Sequence, residues 1–185
     1  MRLFIGIELD GEVKARAAAI ADALRGKLGR RVAARWIAPE NLHVTLWFIG
    51  EVAEDRAVAI TEVVRAPFLV PGFAVEIRGL GAFPPHGAPR GFWIGVARGQ
   101  DSMVALYDEL ARRLQPLGFE PERRAYSAHL TIARVQECRF RDVRNVLGDL
   151  EADAGGCRIS HVTMFRSRLS PKGAAYEPLL RVPLQ

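Results

Sequence analysis

One pattern occurs twice in this chain and limits what it can become. Asn41-Leu42-His43-Val44-Thr45-Leu46-Trp47-Phe48-Ile49-Gly50 and His129-Leu130-Thr131-Ile132-Ala133-Arg134-Val135 are short β-branched or aromatic runs, and each carries a His-x-Thr near its start. Each follows an apolar strand and an amphipathic helix. Arg2 to Leu9 reads as a strand, Asp10-Gly11 as a cap, and the alanine-rich stretch to about Leu28 as a helix; Phe92 to Arg98 and Asp101 to Gln115 repeat that order. The spacing from Leu3 to His43 is 40 residues and from Phe92 to His129 is 37, so an internal duplication is the economical explanation.

The remaining segments extend both units. A helix is predicted from about Glu54 to Arg65 and a strand from Phe73 to Arg78, followed by a Gly/Pro-rich loop from Gly79 to Gly91. The second unit continues with a helix over Phe140 to Leu150 and a strand over Cys157 to Phe165. Tyr176 to Leu180 is a further strand, which Pro178 confines to an edge. No linker-like segment separates the halves, so residues 1–185 are expected to form one domain of two lobes, with the Gly79 to Gly91 loop near the crossover.

In a strand, residues i and i+2 share a face. His43, Thr45 and Trp47 therefore point one way while Leu42, Val44, Leu46 and Phe48 point into the core, and Leu130 and Ile132 face inward beside His129 and Thr131. Two imidazoles across a groove can divide acid and base work near neutrality, and two threonine hydroxyls can donate to phosphate oxygens. A third tripeptide, His161-Val162-Thr163, fails the duplication test, because its counterpart 86 residues earlier is Val75. It is expected to be a strand position with a satisfied side chain. His86, in Pro84-Pro85-His86-Gly87, is expected on an exposed loop.

Composition narrows the chemistry. The net charge is +5, and all but three of the 26 cations are arginines, whose donor fork suits phosphate. Two cysteines, Cys138 and Cys157, are too few for a disulfide scaffold and lie without neighbouring ligands, so no metal and no cofactor are expected. Neither a P-loop nor the Lys-x-Asp-Gly pattern of an ATP-dependent ligase is present. A carboxylate at Glu8 interrupts any leader, and no run reaches the ~18 apolar residues of a membrane span, so a cytoplasmic chain without membrane association is expected.

The motifs Arg35-Trp36-Ile37-Ala38-Pro39-Glu40-Asn41-Leu42-His43-Val44-Thr45-Leu46 and His129-Leu130-Thr131-Ile132-Ala133-Arg134 resemble the two signatures of the bacterial and archaeal RNA 2′,3′-cyclic phosphodiesterases, formerly called 2′-5′ RNA ligases, among the 2H phosphoesterases. The resemblance extends through Gly79-Leu80-Gly81-Ala82-Phe83-Pro84, Phe165-Arg166-Ser167-Arg168-Leu169 and Gly173-Ala174-Ala175-Tyr176. It implies an α+β fold of duplicated β-α-β units with pseudo-twofold symmetry, antiparallel-rich sheets around a central cleft and helices outside. It also implies metal-independent hydrolysis of a terminal 2′,3′-cyclic phosphate of RNA, or of a nucleotide, to a 2′-phosphate, with 2′-5′ ligation as the reverse. By the same resemblance His43 is the acid and His129 the base, Thr45 and Thr131 hold the phosphate, and Arg134 binds it as well. Strict alternation puts Arg134 on the wrong face, so that role requires a bend near Ala133. Two departures stand out: Ala128 precedes His129 where the family usually has proline, and Trp47 replaces a frequent cation and is expected either to stack on a base or, as aromatics on strands more often do, to pack. A monomer is the expected state. The rival reading is a non-catalytic RNA-binding module using the arginines with Trp47 or Phe83, which leaves the matched histidines unexplained.

Overall fold

The computed structural model describes residues 1–138, 143–170 and 173–185, apart from the side chains of 169, 170 and 173. Its strands are β1 (Arg2–Glu8), β2 (Val32–Trp36), β3 (His43–Glu51), β4 (Phe73–Phe83), β5 (Gly91–Arg98), β6 (His129–Cys138), β7 (Asp153–Ile159), β8 (His161–Ser170) and β9 (Gly173–Pro183). Its helices are α1 (Gly11–Leu28), α2 (Glu54–Arg65), α3 (Gln100–Leu114) and α4 (Val143–Gly148). The start of α1 follows from its sequence: the Asp10 carboxylate accepts from the Val13 amide at 2.8 Å. Val13, Ala17, Ala21, Leu24 and Leu28 then form the one stripe that this helix buries.

The strands form one antiparallel sheet in the order β7-β4-β5-β6-β3-β1-β8-β9, with β2 attached to β6. This order is symmetric about the β6/β3 junction, as the duplication implies, yet the two sequence halves are not the two lobes. β4, from the first half, pairs with β5, while β8, from the second, pairs with β1. The helices cross over in the same way: α1 follows β1 but packs on β6 and β7, and α3 follows β5 but packs on β3. Each lobe thus contains chain from both halves, and the two cannot separate without unravelling the sheet.

Several boundaries differ from the sequence reading. The stretch from Cys157 to Phe165 is two strands lying far apart in the sheet, because the chain leaves β7 at Ile159 and re-enters as β8 at His161. β4 continues through the glycines to Phe83, so only the segment from Pro84 to Arg90 loops out. Glycine weakened the strand signal there, but Gly79 and Gly81 serve a bulge and a close contact within β4. β2 follows the basic turn at Gly29-Arg30-Arg31 and has no counterpart in the sequence reading. β9 is an edge strand, as Pro178 requires. α4 begins at Val143; residues 140–142 of the expected helix lie outside the described residues.

Candidate active site

β3 and β6 meet in register at a single pair, Val44 with Leu130, both wholly buried. The neighbours of that pair are His43 beside Thr131 and Thr45 beside His129, all on the opposite face of the sheet. The junction of the lobes therefore gathers both imidazoles and both hydroxyls, each histidine beside the other motif's threonine. Their protonation geometry matches as well. His43 Nδ1 donates to the Asn41 carbonyl at 2.7 Å, and His129 Nδ1 to the Ser127 carbonyl at 2.8 Å. With the hydrogen on Nδ1, each Nε2 is left as the reactive nitrogen. His43 Nε2 lies 3.0 Å from Thr45 Oγ1, which donates to it while the ring is neutral.

The two rings sit in different surroundings. His43 is boxed by aromatics: Phe4 at 4.6 Å between centroids, Tyr176 edge-on at 5.1 Å, and Phe165 at 6.0 Å. Burial pushes its pKa down to about 4, and the nearby cations Lys14 and Arg134 add to the shift, while the hydrogen bond to the Asn41 carbonyl opposes it. His129 is exposed to solvent, with the Trp93 ring 6.1 Å away.

Matched bulges carry the next residue into the cleft. β6 skips Ile132 in its pairing with β5, and β3 skips Leu46 in its pairing with β1. Each bulge buries two consecutive residues, Ile132-Ala133 and Leu46-Trp47, and so reverses the alternation. Arg134 consequently joins the face of His129 and Thr131, satisfying the bend that its expected role requires. The same reversal corrects the placement of Trp47. Its indole is only 6% exposed and stacks on Tyr107 at 5.0 Å, so the base contact expected of it has no open ring face to use. Phe48, expected in the core, is 55% exposed with Arg2 over its ring.

Tyr126 fastens the segment that leads into β6. It stacks on Tyr107 at 4.6 Å and donates its hydroxyl to the Thr45 carbonyl at 2.9 Å, tying the start of β6 to β3. Gln100 Oε1 accepts from the Ala128 amide at 3.1 Å. His161 is held outside the pair. Its Nε2 lies 3.0 Å from Glu8, which also accepts from Thr163 at 2.8 Å and from Nε and Nη2 of Arg181 at 2.7 and 3.0 Å. His86 is exposed on its loop.

The sequence reading overlooked Lys14, whose charge reaches His43, and Gly6, where a Cβ would come within 2.8 Å of the Val44 carbonyl and 3.4 Å of the His43 ring. A glycine inside an apolar strand was the signal that could have found the latter. Trp93 was also overlooked. Its ring occupies the space where a side chain on Gly81 would stand. Among the described residues no group of three or more His, Cys, Asp and Glu is placed to hold a metal, no helix is long and apolar enough to cross a membrane, and Cys138 and Cys157 are not joined in a disulfide.

Two His-x-Thr strands meeting at the pseudo-dyad of one antiparallel sheet, with helices outside, define the 2H phosphoesterase fold. The chain belongs to the 2′-5′ RNA ligase superfamily, whose family model matches residues 7–170. It is 32% identical over 180 residues to the RNA 2′,3′-cyclic phosphodiesterase of Archaeoglobus fulgidus, covering 97% of this chain and 98% of that protein. It is 33% identical over 181 residues to the protein of the same description from Thermotoga maritima, covering 97% and 93%. Among solved structures it superposes on a Thermus thermophilus protein with a TM-score of 0.80 at 26% identity, covering 100% of this chain and 98% of that one. Escherichia coli LigT, solved with 3′-AMP, gives 0.78 at 23%, covering 99% and 97%, and supports the fold.

Proposed function

We propose that this protein hydrolyses terminal 2′,3′-cyclic phosphates of RNA to 2′-phosphomonoesters by acid–base catalysis from two histidines, without a metal ion. The observation that carries the reading is the Val44–Leu130 register, which brings the two His-x-Thr motifs side by side on adjoining strands. A cyclic phosphate placed there meets Thr45, Thr131 and Arg134, whose donors oppose the charge that builds on its non-bridging oxygens.

The family resemblance assigns the order of proton transfer, with His129 as base and His43 as acid. In this assignment the exposed His129, with Nε2 free, takes a proton from the attacking water. As the water oxygen bonds to phosphorus, the bond from phosphorus to the ribose 3′ oxygen breaks in line. His43, shielded by Phe4, Phe165 and Tyr176, supplies the proton to that departing oxygen. In the free protein His43 is neutral at pH 7; the phosphate anion offsets Lys14 and Arg134 and raises its affinity for the proton it must carry. An imidazolium in so apolar a box gives up its proton readily. The ligation path, in which a 5′ hydroxyl takes the place of water, uses the same groups, and abundant water favours hydrolysis. The relatives named RNA 2′,3′-cyclic phosphodiesterase support the substrate class. Both histidines come from one chain, so the site is complete in a monomer, and the RNA-end substrate class of the relatives supports a cytoplasmic setting.

The test is incubation of an oligonucleotide ending in a 2′,3′-cyclic phosphate with the protein in the presence of EDTA. A 2′-phosphate product is expected, and a 3′-phosphate would overturn the identity of the leaving group. Replacing His43 or His129 with Ala should lower turnover by about 10³-fold or more with the circular dichroism spectrum unchanged. His161→Ala should retain turnover, because that ring serves the Glu8 network. Equal loss in all three variants would contradict the pairing.

A further inference from the structure

β6 pairs with β3 at its beginning and with β2 further along, where Arg35 stands directly opposite Arg134. Residues opposite one another on antiparallel strands share a face, so Arg35 lies on the cleft face next to the arginine proposed to hold the cyclic phosphate. Two like charges in that relation repel and weaken the strand pair. Several other arginines of the sheet are balanced: Arg78 by Asp153 at 2.8 Å, Arg166 and Arg168 by Glu177 at 2.7 and 3.1 Å, and Arg181 by Glu8. Among the described residues neither the Arg35 nor the Arg134 side chain has a hydrogen bond or ion pair, and both are exposed. The repulsion is relieved when anions occupy the space above the pair. The cyclic phosphate supplies one such charge, on the Arg134 side, and Arg35 lies beside it on β2, which follows β3 along the same edge of β6, further from the histidines along that strand.

We propose that Arg35 binds a second phosphate, the one on O5′ of the terminal nucleotide, so that the site recognises the end of an RNA strand over a bare nucleoside cyclic phosphate. This rests on the hydrolytic reading above and adds a binding site to it. The second phosphate is shared chemistry: it is either the diester that joins the terminal nucleotide to the rest of the RNA or a free 5′-phosphate on a mononucleotide. A phosphodiester in the strand contributes one charge to Arg35, and a monoester contributes more.

The experiment compares three substrates of one base: the nucleoside 2′,3′-cyclic phosphate, the same compound with a 5′-phosphate, and a dinucleotide ending in the cyclic phosphate. Each is assayed with the intact protein and with Arg35→Gln and Arg35→Lys. For Arg35→Gln, kcat/KM on the dinucleotide should fall about tenfold through KM, and the slope of log kcat/KM against log salt should become shallower by about 0.7, the increment for one phosphate contact on a single strand. On the nucleoside cyclic phosphate the same variant should stay within about twofold of the parent, and Arg35→Lys should recover part of the loss. A loss on the 5′-phosphorylated mononucleotide equal to that on the dinucleotide identifies the O5′ phosphate itself as the ligand; a loss on the dinucleotide alone identifies the diester. An Arg35→Gln effect that is absent on both phosphate-bearing substrates, or equal on all three, overturns the proposal. Absence of turnover by the parent on all three substrates would strike the hydrolytic reading, whereas turnover without the expected Arg35→Gln pattern strikes only the Arg35 site.

Discussion

Among single residues, the site is governed by what surrounds two chemically identical rings. His43 titrates far below its ordinary range chiefly because it is enclosed, and next because Lys14 and Arg134 disfavour a further positive charge. In a histidine-selective NMR titration of the free protein, His43 should respond near pH 4. Lys14→Met should raise that midpoint without restoring the ordinary value, since burial persists. A His43 midpoint near ~6.5 in the parent would contradict the enclosed, neutral ring. Tyr126 acts at a distance from the chemistry: its hydroxyl binds the Thr45 carbonyl and its ring joins the Tyr107–Trp47 stack. Tyr126→Phe keeps the stack and removes one hydrogen bond, so we expect turnover to drop about fivefold with little loss of stability. Unchanged kinetics would show that the tie does not position the threonine.

Between elements, two devices hold the parts in place. The first is the pair of β-bulges, which sit at equivalent points of β3 and β6 and turn Phe48 and Arg134 toward the cleft. The second joins α2 to α3. Arg113 on α3 pairs with Glu109 and donates to the carbonyls of Val64, Ala66 and Pro67 at the end of α2, with its guanidinium 4.1 Å above the Phe68 ring. Both charged side chains are nearly buried, so removing one partner strands the other. Arg113→Ala should therefore cost about 3 kcal/mol in urea unfolding. A loss under about 1 kcal/mol, typical of an exposed pair, would show that water reaches the clasp. The His-x-Thr pairs, the apolar stripe of α1 and the edge position of β9 were legible in the sequence because they depend on local periodicity. The face of Trp47 was not, because a bulge is fixed by the partner strand, and two consecutive buried residues carry no period of their own.

For the molecule as a whole, acid should destabilise the fold in two stages. The folded state keeps His43 neutral down to about pH 4, whereas the unfolded chain protonates it near 6.5. Stability therefore falls as pH drops through that interval, by about 3 kcal/mol at its lower end. Glu8 follows. Its hydrogen bond and ion pair with Arg181, helped by Thr163 and His161, hold its pKa at about 2, so its contribution is full above about 4.5 and is lost as pH falls toward 2. Urea midpoints measured from about pH 7 to 3 should decline throughout, with the His43→Ala variant flatter between 6.5 and 4. A parent midpoint that is constant over that range would contradict the assignment.

Residue type and spacing alone were enough to settle the repeated strand–helix–strand order, the two imidazoles with their hydroxyls, and the symmetry that a duplication imposes. The folded arrangement was needed to learn that β4 and β8 change lobes, that Arg134 turns into the cleft while Trp47 turns out of it, and that His43 is enclosed where His129 is open. Those outcomes depend on which strand hydrogen-bonds to which and at what register, and such pairings join residues far apart in the chain, where local preference has no say.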